Sequence, residues 1–288
     1  MIATLKKIKQ KFEISLFPKQ YKEKYFKQIA ALNWQNIHAR NIENELLLIR
    51  YFLEKDSVFI DVGANLGQYL FVAESIINNE KGHIYGFEPH PYLANRLEKI
   101  FPQTEIIQKA LSDSIGKAQF KVPFFKHREI HTRGTLKTNH IETDETNFKL
   151  LNVDLDTLDA FTHSKGLKRL DVIKIDVEGA EFDVLKGART TIGQYKPVLI
   201  VEIEQRHHEQ DIMKFISDFE TEFDYRCHYF DAEKQELKSD LKSKTIEQLQ
   251  SVDNHGKNRL FINNFIFIPN VKSGQLNVES IQKQIKNS

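Results

Sequence analysis

The chain of 288 residues contains a single cysteine, Cys227. One cysteine excludes an intrachain disulfide and a zinc site built from cysteines, and it fits a reducing cytosol. No apolar run approaches the roughly 18 residues that are needed to cross a bilayer. The basic N-terminus also lacks the apolar region and the cleavage site of a secretory signal. We therefore expect a soluble, cytoplasmic protein with no transmembrane segment.

The chain also has little net charge, with 41 Lys and Arg residues and 40 Asp and Glu residues. A balanced chain gives no general argument for nucleic-acid binding, and we predict no nucleic-acid partner. The charge is uneven, however, because residues 1–30 carry eight lysines and only two glutamates. Two interpretations of this segment stay open: a solvated, partly helical lead-in, or a weak contact with an anionic membrane surface or an anionic glycan.

Short apolar runs alternate with helical patterns along most of the chain. The runs that predict strands are 58–62, 84–88, 105–108, 170–176 and 197–203, followed by an antiparallel pair at 226–230 and 261–268. Alternating strands and helices build a mostly parallel sheet that is covered on both faces. We therefore predict an α/β fold with a doubly wound, mostly parallel sheet and an antiparallel edge, which binds its ligand at the carboxyl ends of the strands.

The same patterns predict a domain organisation in three parts. A basic helical extension covers 1–54, the main domain covers 55–270, and a polar tail covers 271–288. Inside the main domain, the alternation at 118–122 predicts an extra edge strand or hairpin. Few periodic apolar positions occur in 123–152, which we predict to be an inserted loop, and 231–258 is a second, polar and helical insertion.

The first strand ends in the turn Asp61-Val-Gly-Ala-Asn-Leu-Gly67. Gly63 lets the backbone approach a ligand, and Gly67 permits close packing of the following helix on the strand. Glu88 ends the second strand, where a carboxylate can accept hydrogen bonds from two ribose hydroxyls. Enzymes that bind NAD and enzymes that bind S-adenosylmethionine share these features.

Two details of this turn favour S-adenosylmethionine over a dinucleotide. Asn65 occupies the middle glycine position of the dinucleotide fingerprint G-x-G-x-x-G. Asp61 places a carboxylate before the first glycine, where it suits a sulfonium or ammonium group better than a pyrophosphate. An NAD-dependent oxidoreductase stays open as an alternative, as does a catalytically inactive module that keeps the fold to bind a partner.

Charged residues are concentrated at the end of the fourth strand, in Lys174-Ile-Asp-Val-Glu-Gly-Ala-Glu181. Lys174, Asp176 and Glu178 alternate on one face of an otherwise apolar strand end. Charges in such a place are costly unless they are paired or functional. We favour a functional role for Asp176 and Glu178, whereas a buried ion pair for Lys174 and a helix cap for Glu181 stay open.

The fifth strand ends at Glu202, which we expect to face the same cleft, and His207 and His208 follow it. A metal site made of Asp176, Glu202 and a histidine is conceivable by ligand type. No spacing specific to a metal supports it, so we predict no metal.

Three motifs in combination resemble those of the FkbM-type methyltransferases. They are Phe59-Ile-Asp-Val-Gly-Ala-Asn-Leu-Gly67, Gly86-Phe-Glu-Pro-His-Pro91 and Ile173-Lys-Ile-Asp-Val-Glu-Gly-Ala-Glu181, and Lys186-Gly-Ala188 and Asn263-Asn-Phe-Ile-Phe-Ile-Pro269 continue the pattern. The resemblance covers roughly residues 56–269. It implies the class I methyltransferase fold, with a seven-stranded sheet and one reversed edge strand. It also implies S-adenosylmethionine-dependent O-methylation of a hydroxyl, often on a sugar, a glycan or a related natural product.

The resemblance also implies roles for individual residues. Those expected to bind S-adenosylmethionine are Asp61, Gly63, Ala64, Asn65, Gly67, Glu88, Pro89, Ala110, Leu111 and Asp113. Those expected to flank the methyl group and the incoming hydroxyl are Lys174, Asp176 and Glu178, and Glu202 is a further catalytic candidate because we expect it to face the cleft. Our hypothesis is that Asp176 or Glu178 is the base and that Lys174 orients it. Asp113 is equally interpreted as part of a plain turn.

The sequence does not name the methyl acceptor or the oligomeric state. Five basic residues of the 123–152 loop are candidates to contact an anionic or hydroxyl-rich acceptor, or else form a solvated loop: His127, Arg128, His131, Arg133 and Lys137.

Overall fold

The computed structural model describes residues 9–10, 12–37, 42–78, 80–250, 261–272 and 278–287. The strands in these ranges are β1 (Val58–Val62), β2 (His83–Phe87), β3 (Glu105–Ile107), β4 (Ala110–Leu111), β5 (Gly116–Phe125), β6 (Arg128–Glu129), β7 (Glu145–Asp156), β8 (Val172–Ile175), β9 (Val198–Glu202), β10 (Tyr225–Asp231), β11 (Glu236–Lys238) and β12 (Asn264–Pro269).

The helices in the same ranges are α1 (Pro18–Tyr25), α2 (Lys27–Ala30), α3 (Glu45–Leu48), α4 (Gln68–Glu74), α5 (Pro91–Ile100), α6 (Leu158–Lys165), α7 (Glu181–Lys186), α8 (Arg189–Tyr195), α9 (Ile212–Phe223), α10 (Ile246–Gln250) and α11 (Val278–Asn287). Short 3-10 helices lie at Ile49–Tyr51, His131–Arg133, Gln205–His207, Leu241–Ser243 and Asn270–Lys272. No helix in the described ranges has the length and apolar character to cross a membrane.

The larger sheet has the strand order β11-β10-β12-β9-β8-β1-β2-β3. The five strands from β9 to β3 are parallel, while β12 is antiparallel to both of its neighbours and β11 is antiparallel to β10. Helices α4 and α5 cover one face of the sheet, and α6 to α9 cover the other. This arrangement confirms the predicted α/β, doubly wound class.

Two details of the predicted sheet are wrong: there are eight strands rather than seven, and a reversed strand lies inside the sheet. All six residues of β12 are buried, and pairing on both edges satisfies the backbone groups of such a strand. The eighth strand, β11, comes from the insertion at 231–258, which was predicted to be helical. A turn at 232–235 folds it back onto β10.

A smaller sheet has the order β4-β7-β5-β6, and most of it is a long hairpin of β5 and β7. The extra hairpin predicted at 118–122 is therefore present, but the prediction of a loop over 123–152 is wrong for both of its ends. Most of β7 is exposed on both faces, so its sequence lacks the alternation that marks a half-buried strand. We call the remaining segment, residues 126–144, the connector.

Both ends of the described chain pack on the main domain. Phe26 is 1% exposed and stacks on Phe71 of α4, with the ring centroids 4.8 Å apart. On the same side, α11 buries Ile281 and Ile285 against the core, although the sequence predicts a polar tail there. Residues 1–8, which hold part of the basic segment, lie outside the described residues.

The helical pattern at 180–192 forms two helices, α7 and α8, instead of one. Gly187 ends α7, and a Cβ on it would lie 2.0 Å from the Ser112 carbonyl oxygen. The chain breaks the helix here because the backbone after β4 passes directly against it.

Candidate active site

The glycine turn after β1 is pressed against the end of β8. Gly63 has φ +83°, and a Cβ on it would lie 1.8 Å from the Asp176 carbonyl oxygen. The backbone N–H groups of Gly63 and Ala64 both donate to the Phe87 carbonyl oxygen, at 2.9 Å. The carboxyl ends of β1, β2 and β8 thus meet at one edge of the sheet, as the sequence predicts.

Glu88 is buried at this edge and holds the turn in place. Its Oε2 accepts a hydrogen bond from the Asn65 backbone N–H at 2.8 Å, and its Oε1 accepts one from the His90 N–H at 2.8 Å. Burial raises the pKa of Glu88 to about 7, although the two backbone donors lower it in part. The carboxylate oxygens keep further lone pairs for a ligand.

The side chain of Asn65 joins the turn to the connector. Its Nδ2 donates to the Thr132 carbonyl oxygen at 3.1 Å. Its Oδ1 is buried and has no hydrogen-bond partner within the described residues. A buried acceptor without a donor is costly, so its place beside a cavity indicates a ligand that donates to it.

A first cavity opens beside Glu88. Its walls include eight of the residues predicted from the sequence: Gly63, Asn65, Glu88, Pro89, Ala110, Leu111, Asp176 and Glu178. Apolar side chains from β2, the hairpin and the connector complete it, among them Phe87, Phe120 and Leu136. An apolar slot next to a buried carboxylate suits a flat base attached to a ribose.

A second cavity of about 480 Å³ adjoins the first, and Gly63, Asn65 and Asp176 line both. Its other walls include Asp61, Ala64 and Lys174 from the predicted set. The remaining predicted residues line neither cavity: Gly67, Asp113 and Glu202. Gly67 instead begins α4 against Phe101, and Asp113 is exposed in the turn after β4.

Lys174 is the buried cation of the site, with only 1% of its surface exposed. Its Nζ donates to Asn264 Oδ1 at 3.1 Å and lies 4.0 Å from Glu202 Oε2. Burial disfavours its charged form, but Asp176, Glu202 and other nearby carboxylates outweigh this and raise its pKa above the ordinary value. The buried pair that the sequence left open for Lys174 is therefore present, at the edge of the second cavity.

The carboxyl groups around Lys174 differ in their proton affinity. Burial raises the pKa of Asp176 to about 6, and Lys174 and a hydrogen bond with Glu202 offset part of the effect. Burial and the neighbouring Asp176 raise the pKa of Glu178 to about 8, and burial raises that of Asp61 to about 8. The pKa of Glu202 lies well above its ordinary value, because of burial and Asp176. Most of these carboxyl groups are therefore protonated at neutral pH in the ligand-free site, and a cationic ligand would favour their ionised forms.

The turn between β8 and α7 has an unusual backbone. Glu178 has φ +53° and Gly179 has φ +101°. Glu181 stabilises this turn, because its Oε1 accepts from the Gly179 N–H at 2.9 Å and its Oε2 lies 2.9 Å from His208 Nε2. Thr135 of the connector donates to the Glu178 carbonyl oxygen at 2.6 Å. The helix cap that the sequence left open for Glu181 is not present, because Ala180 holds the N-cap position of α7, and Glu181 instead stabilises the turn before the helix.

The five basic candidates of the connector are placed differently from one another. His131 lines the first cavity. Arg133 lies 3.4 Å from Glu142, and Lys137 lies 2.7 Å from Asp183. His127 and Arg128 are exposed at the tip of the hairpin. Only His131 thus belongs to the wall of the cavity.

Some residues of the site are missing from the sequence-based set. Tyr69 and Glu43 line the second cavity, and the Tyr69 hydroxyl donates to Glu43 Oε2 at 2.7 Å. Tyr69 could have been predicted to lie at the site, because it is in the first turn of α4, directly after the glycine turn. No sequence feature predicted that Glu43 lies at the site, because its position depends on how the N-terminal segment packs.

Several known methyltransferases are similar to this chain in sequence. The family model of the methyltransferase FkbM domain matches residues 61–227. The hexuronic acid methyltransferase AglP of Haloferax volcanii is 28% identical over 189 residues, which are 62% of this chain and 70% of that protein. The 2-O-methyltransferase NoeI of Sinorhizobium fredii is 28% identical over 167 residues, which are 54% of this chain and 68% of that protein.

Two solved structures are similar at low identity. Methyltransferase FkbM from Methylobacillus flagellatus has a TM-score of 0.46 at 13% identity, and the match covers 82% of this chain and 48% of that one. The plantazolicin methyltransferase BpumL, solved with a desmethyl plantazolicin analogue and SAH, has a TM-score of 0.42 at 10% identity. That match covers 91% of this chain and 98% of that one.

Proposed function

Because the chain belongs to the methyltransferase FkbM family, we propose that it transfers a methyl group from S-adenosylmethionine to a hydroxyl of a sugar or glycan. The observation that carries the donor assignment is the pair of adjoining cavities surrounded by buried carboxyl groups. A sulfonium and an ammonium group bound beside these carboxyl groups would stabilise their ionised forms.

The residues present fit this cofactor. The first cavity would hold the adenosine, with Glu88 accepting from the ribose hydroxyls and Ala110 and Leu111 against the base. The second would hold the methionine portion, with Asp61 close to its cationic groups. Asn65 Oδ1, the buried acceptor without a partner, would receive a donor from the ligand. When bound, S-adenosylmethionine supplies a methyl group on a positively charged sulfur.

Asp176 is the residue that we assign as the base, because it lines both cavities. With a pKa of about 6 it is mostly ionised at neutral pH, whereas Glu178, with a pKa of about 8, is mostly protonated. A carboxylate oxygen of Asp176 would accept the hydroxyl proton, and Lys174 would stabilise the ionised form. Holding the hydroxyl in line and excluding water would account for much of the rate, up to about 7–11 kcal/mol for well-oriented groups.

Two relatives support a saccharide as the acceptor. Their names describe a hexuronic acid methyltransferase and a 2-O-methyltransferase, and both are 28% identical to this chain. A sugar hydroxyl is a weak nucleophile, which agrees with a site that contains a buried, ionised carboxylate.

Calorimetric titration of the purified chain tests the donor assignment. We expect saturable binding of S-adenosylmethionine and none of NAD. Glu88→Gln should weaken this binding by about 10- to 100-fold, because a hydrogen bond to a charged group is worth about 1.5–3 kcal/mol. Asp113→Asn is the matched control: Asp113 is exposed and lines neither cavity, so affinity should not change. Binding of NAD without S-adenosylmethionine would instead support the oxidoreductase.

The acceptor is tested separately, by incubating the chain with S-adenosylmethionine and a panel of saccharides and reading the products by mass spectrometry. We expect a mass gain of one methylene group on a uronic acid or another sugar, and much less methylated product in the same time with Asp176→Asn. If only non-saccharide hydroxyls were methylated, S-adenosylmethionine would remain the assigned donor, but the proposal of a saccharide acceptor would be wrong.

A further inference from the structure

A second group of ligand atoms lies behind the turn that contains Glu178, outside both cavities. It consists of His140 and Glu142 of the connector and His207, which follows β9. One ligand atom from each residue lies within 4.8 Å of the other two. We propose that these three residues bind a divalent transition metal of the zinc class.

The two histidines offer nitrogen atoms that nothing else uses. Nε2 of His140 and Nε2 of His207 are both buried, and neither has a hydrogen-bond partner within the described residues. The rings are nearly perpendicular, with their centroids 4.8 Å apart. Two buried nitrogens without partners are costly in a folded protein, and a shared metal ion would satisfy both.

The carboxylate of Glu142 is held in place by two arginines. Arg133 lies 3.4 Å and Arg206 lies 3.2 Å from its Oε2, so neither contact occupies Oε1. Contacts of this kind orient a metal ligand. The positive charges of the arginines also disfavour binding of cations that the site holds only weakly. Two imidazole ligands favour zinc over magnesium or calcium, whose ligands are oxygens.

The backbone near the site is already fixed. The buried Lys121 donates to the His140 carbonyl oxygen and lies 2.8 Å from Glu145 at the start of β7. Tetrahedral zinc with bonds of about 2.0–2.1 Å has ligand atoms about 3.3 Å apart, so small side-chain movements suffice to close the site. The fourth position would stay open to water or to another ligand.

A similar group, His90, Glu129 and His131, lacks this capacity. Nδ1 of His90 accepts a hydrogen bond from the Tyr92 N–H at 3.1 Å. A neutral imidazole that accepts at one nitrogen carries its proton on the other, so Nε2 of His90 cannot coordinate a metal. His140 and His207 are under no such constraint.

The proposed ion would fasten the connector to the wall of the active site. His207 packs on Gly179, where a Cβ would lie 3.2 Å from the His207 Cβ, and Gly179 is next to Glu178. His140 and Glu142 belong to the connector, which also supplies His131 and Thr132 to the first cavity. Metal binding would therefore order one wall of the site without taking part in the cofactor contacts.

The experiment is a titration of the metal-free, cofactor-free chain with Zn²⁺ in competition with a chromophoric chelator, and with Co²⁺ followed by visible absorption. We expect one tight equivalent and the absorption of tetrahedral cobalt, with no competition from Mg²⁺. His140→Gln and His207→Gln should each weaken binding by at least about 10- to 100-fold. The control is His163→Gln, exposed on α6, which should bind as the wild type does.

Thermal denaturation of each variant without metal shows that it is folded. Added Zn²⁺ should raise the melting temperature of the wild type and of the His163 variant only. Equal affinity of all four proteins, or no tight equivalent in the wild type, would overturn the site. Because the cofactor is absent, this result does not depend on the methyl donor.

Discussion

Asp176 and Glu178 are two residues apart, yet their carboxyl groups differ in proton affinity. Burial raises the pKa of Asp176 to about 6, and Lys174 and a hydrogen bond with Glu202 offset part of the effect. Burial also raises the pKa of Glu178, to about 8, and its acidic neighbours Asp176, Glu142 and Glu181 add to the effect. Different neighbours thus give the two carboxyl groups different protonation states at neutral pH.

A pH dependence of the rate follows from this difference. A base must be deprotonated, so kcat/KM should rise with pH through about 6 and level off above it. Asp176→Asn should lower kcat by about 10²- to 10⁴-fold and remove the rise. Initial rates of methyl transfer between about pH 5 and 8 measure both effects.

Asp183→Asn is the control for this variant, since Asp183 lies on α7 and contacts Lys137 outside the cavities. It should keep the rate and its pH profile. If Asp176→Asn were as active as the wild type while Glu178→Gln was inactive, the base would be Glu178 and the assignment made here would be wrong.

Sequence patterns predict the position of a site residue well when the residue lies in or next to a regular helix or strand. Asp61 lies near the end of a buried strand, Glu88 and Asp176 directly follow buried strands, and the carboxyl ends of parallel strands must meet. Asp113 follows a predicted strand as well and was expected to bind S-adenosylmethionine, but the turn after β4 leaves it exposed to solvent. No local pattern records how a turn is oriented, because neighbouring elements in the fold determine that orientation.

At the scale of the element, the N-terminal helices belong to the core. Phe26 lies between Phe71 of α4 and Phe101, at centroid distances of 4.8 Å and 5.7 Å. This packing also places Glu43 at the second cavity. Lysines dominate the sequence of this segment, so the pattern of the few apolar residues that pack it on the core is hard to recognise.

We expect Phe26→Ala to lower the free energy of unfolding by about 3–5 kcal/mol, because it leaves a cavity in the core. Phe12→Ala is the matched control, since Phe12 is 62% exposed, and it should change the value by less than about 0.5 kcal/mol. Urea denaturation followed by circular dichroism measures both. Equal stabilities of the two variants would show that the N-terminal helices add nothing to the core.

The conformation and contacts of the connector are the least predictable from the sequence. Its contacts join residues far apart in the chain, such as Asn65 with Thr132 and Thr135 with Glu178. His140 and His207 likewise come together only through the fold. The periodicity of apolar residues indicates which face of a helix or strand is buried. The connector has no helix or strand over most of its length, so this periodicity cannot predict its contacts.

For the whole molecule, buried carboxyl groups reverse the usual effect of pH on stability. Burial raises the pKa of Asp61 to about 8 and the pKa values of Glu45 and Glu88 to about 7. In the unfolded chain these groups titrate near pH 4. Between about pH 4 and 8 these carboxyl groups bind more protons in the folded chain, so their contribution to stability falls as the pH rises. Burial lowers the pKa values of His90, His207 and His228, which act in the opposite direction below about pH 6.5, but the six carboxyl groups with raised pKa values outnumber them.

We therefore expect the melting temperature of the ligand-free chain to fall by at least about 5 °C between about pH 5.5 and 8.5. Differential scanning calorimetry measures this fall. Asp61→Asn removes one of the raised groups and should make the fall shallower, whereas Asp113→Asn, at an exposed position, should leave it unchanged. A melting temperature that rose with pH over this range would contradict the assigned protonation states.

The C-terminal helix α11 completes the edge of the large sheet. Gln282 accepts a hydrogen bond from the Leu237 N–H at 2.8 Å and donates one to the Gln235 carbonyl oxygen at 2.6 Å. One amide side chain thereby occupies the backbone groups that a further strand would use. An open edge invites pairing with the edge of another molecule, which is a common route to aggregation. Gln282 thus helps to keep concentrated copies of the protein from joining sheet to sheet.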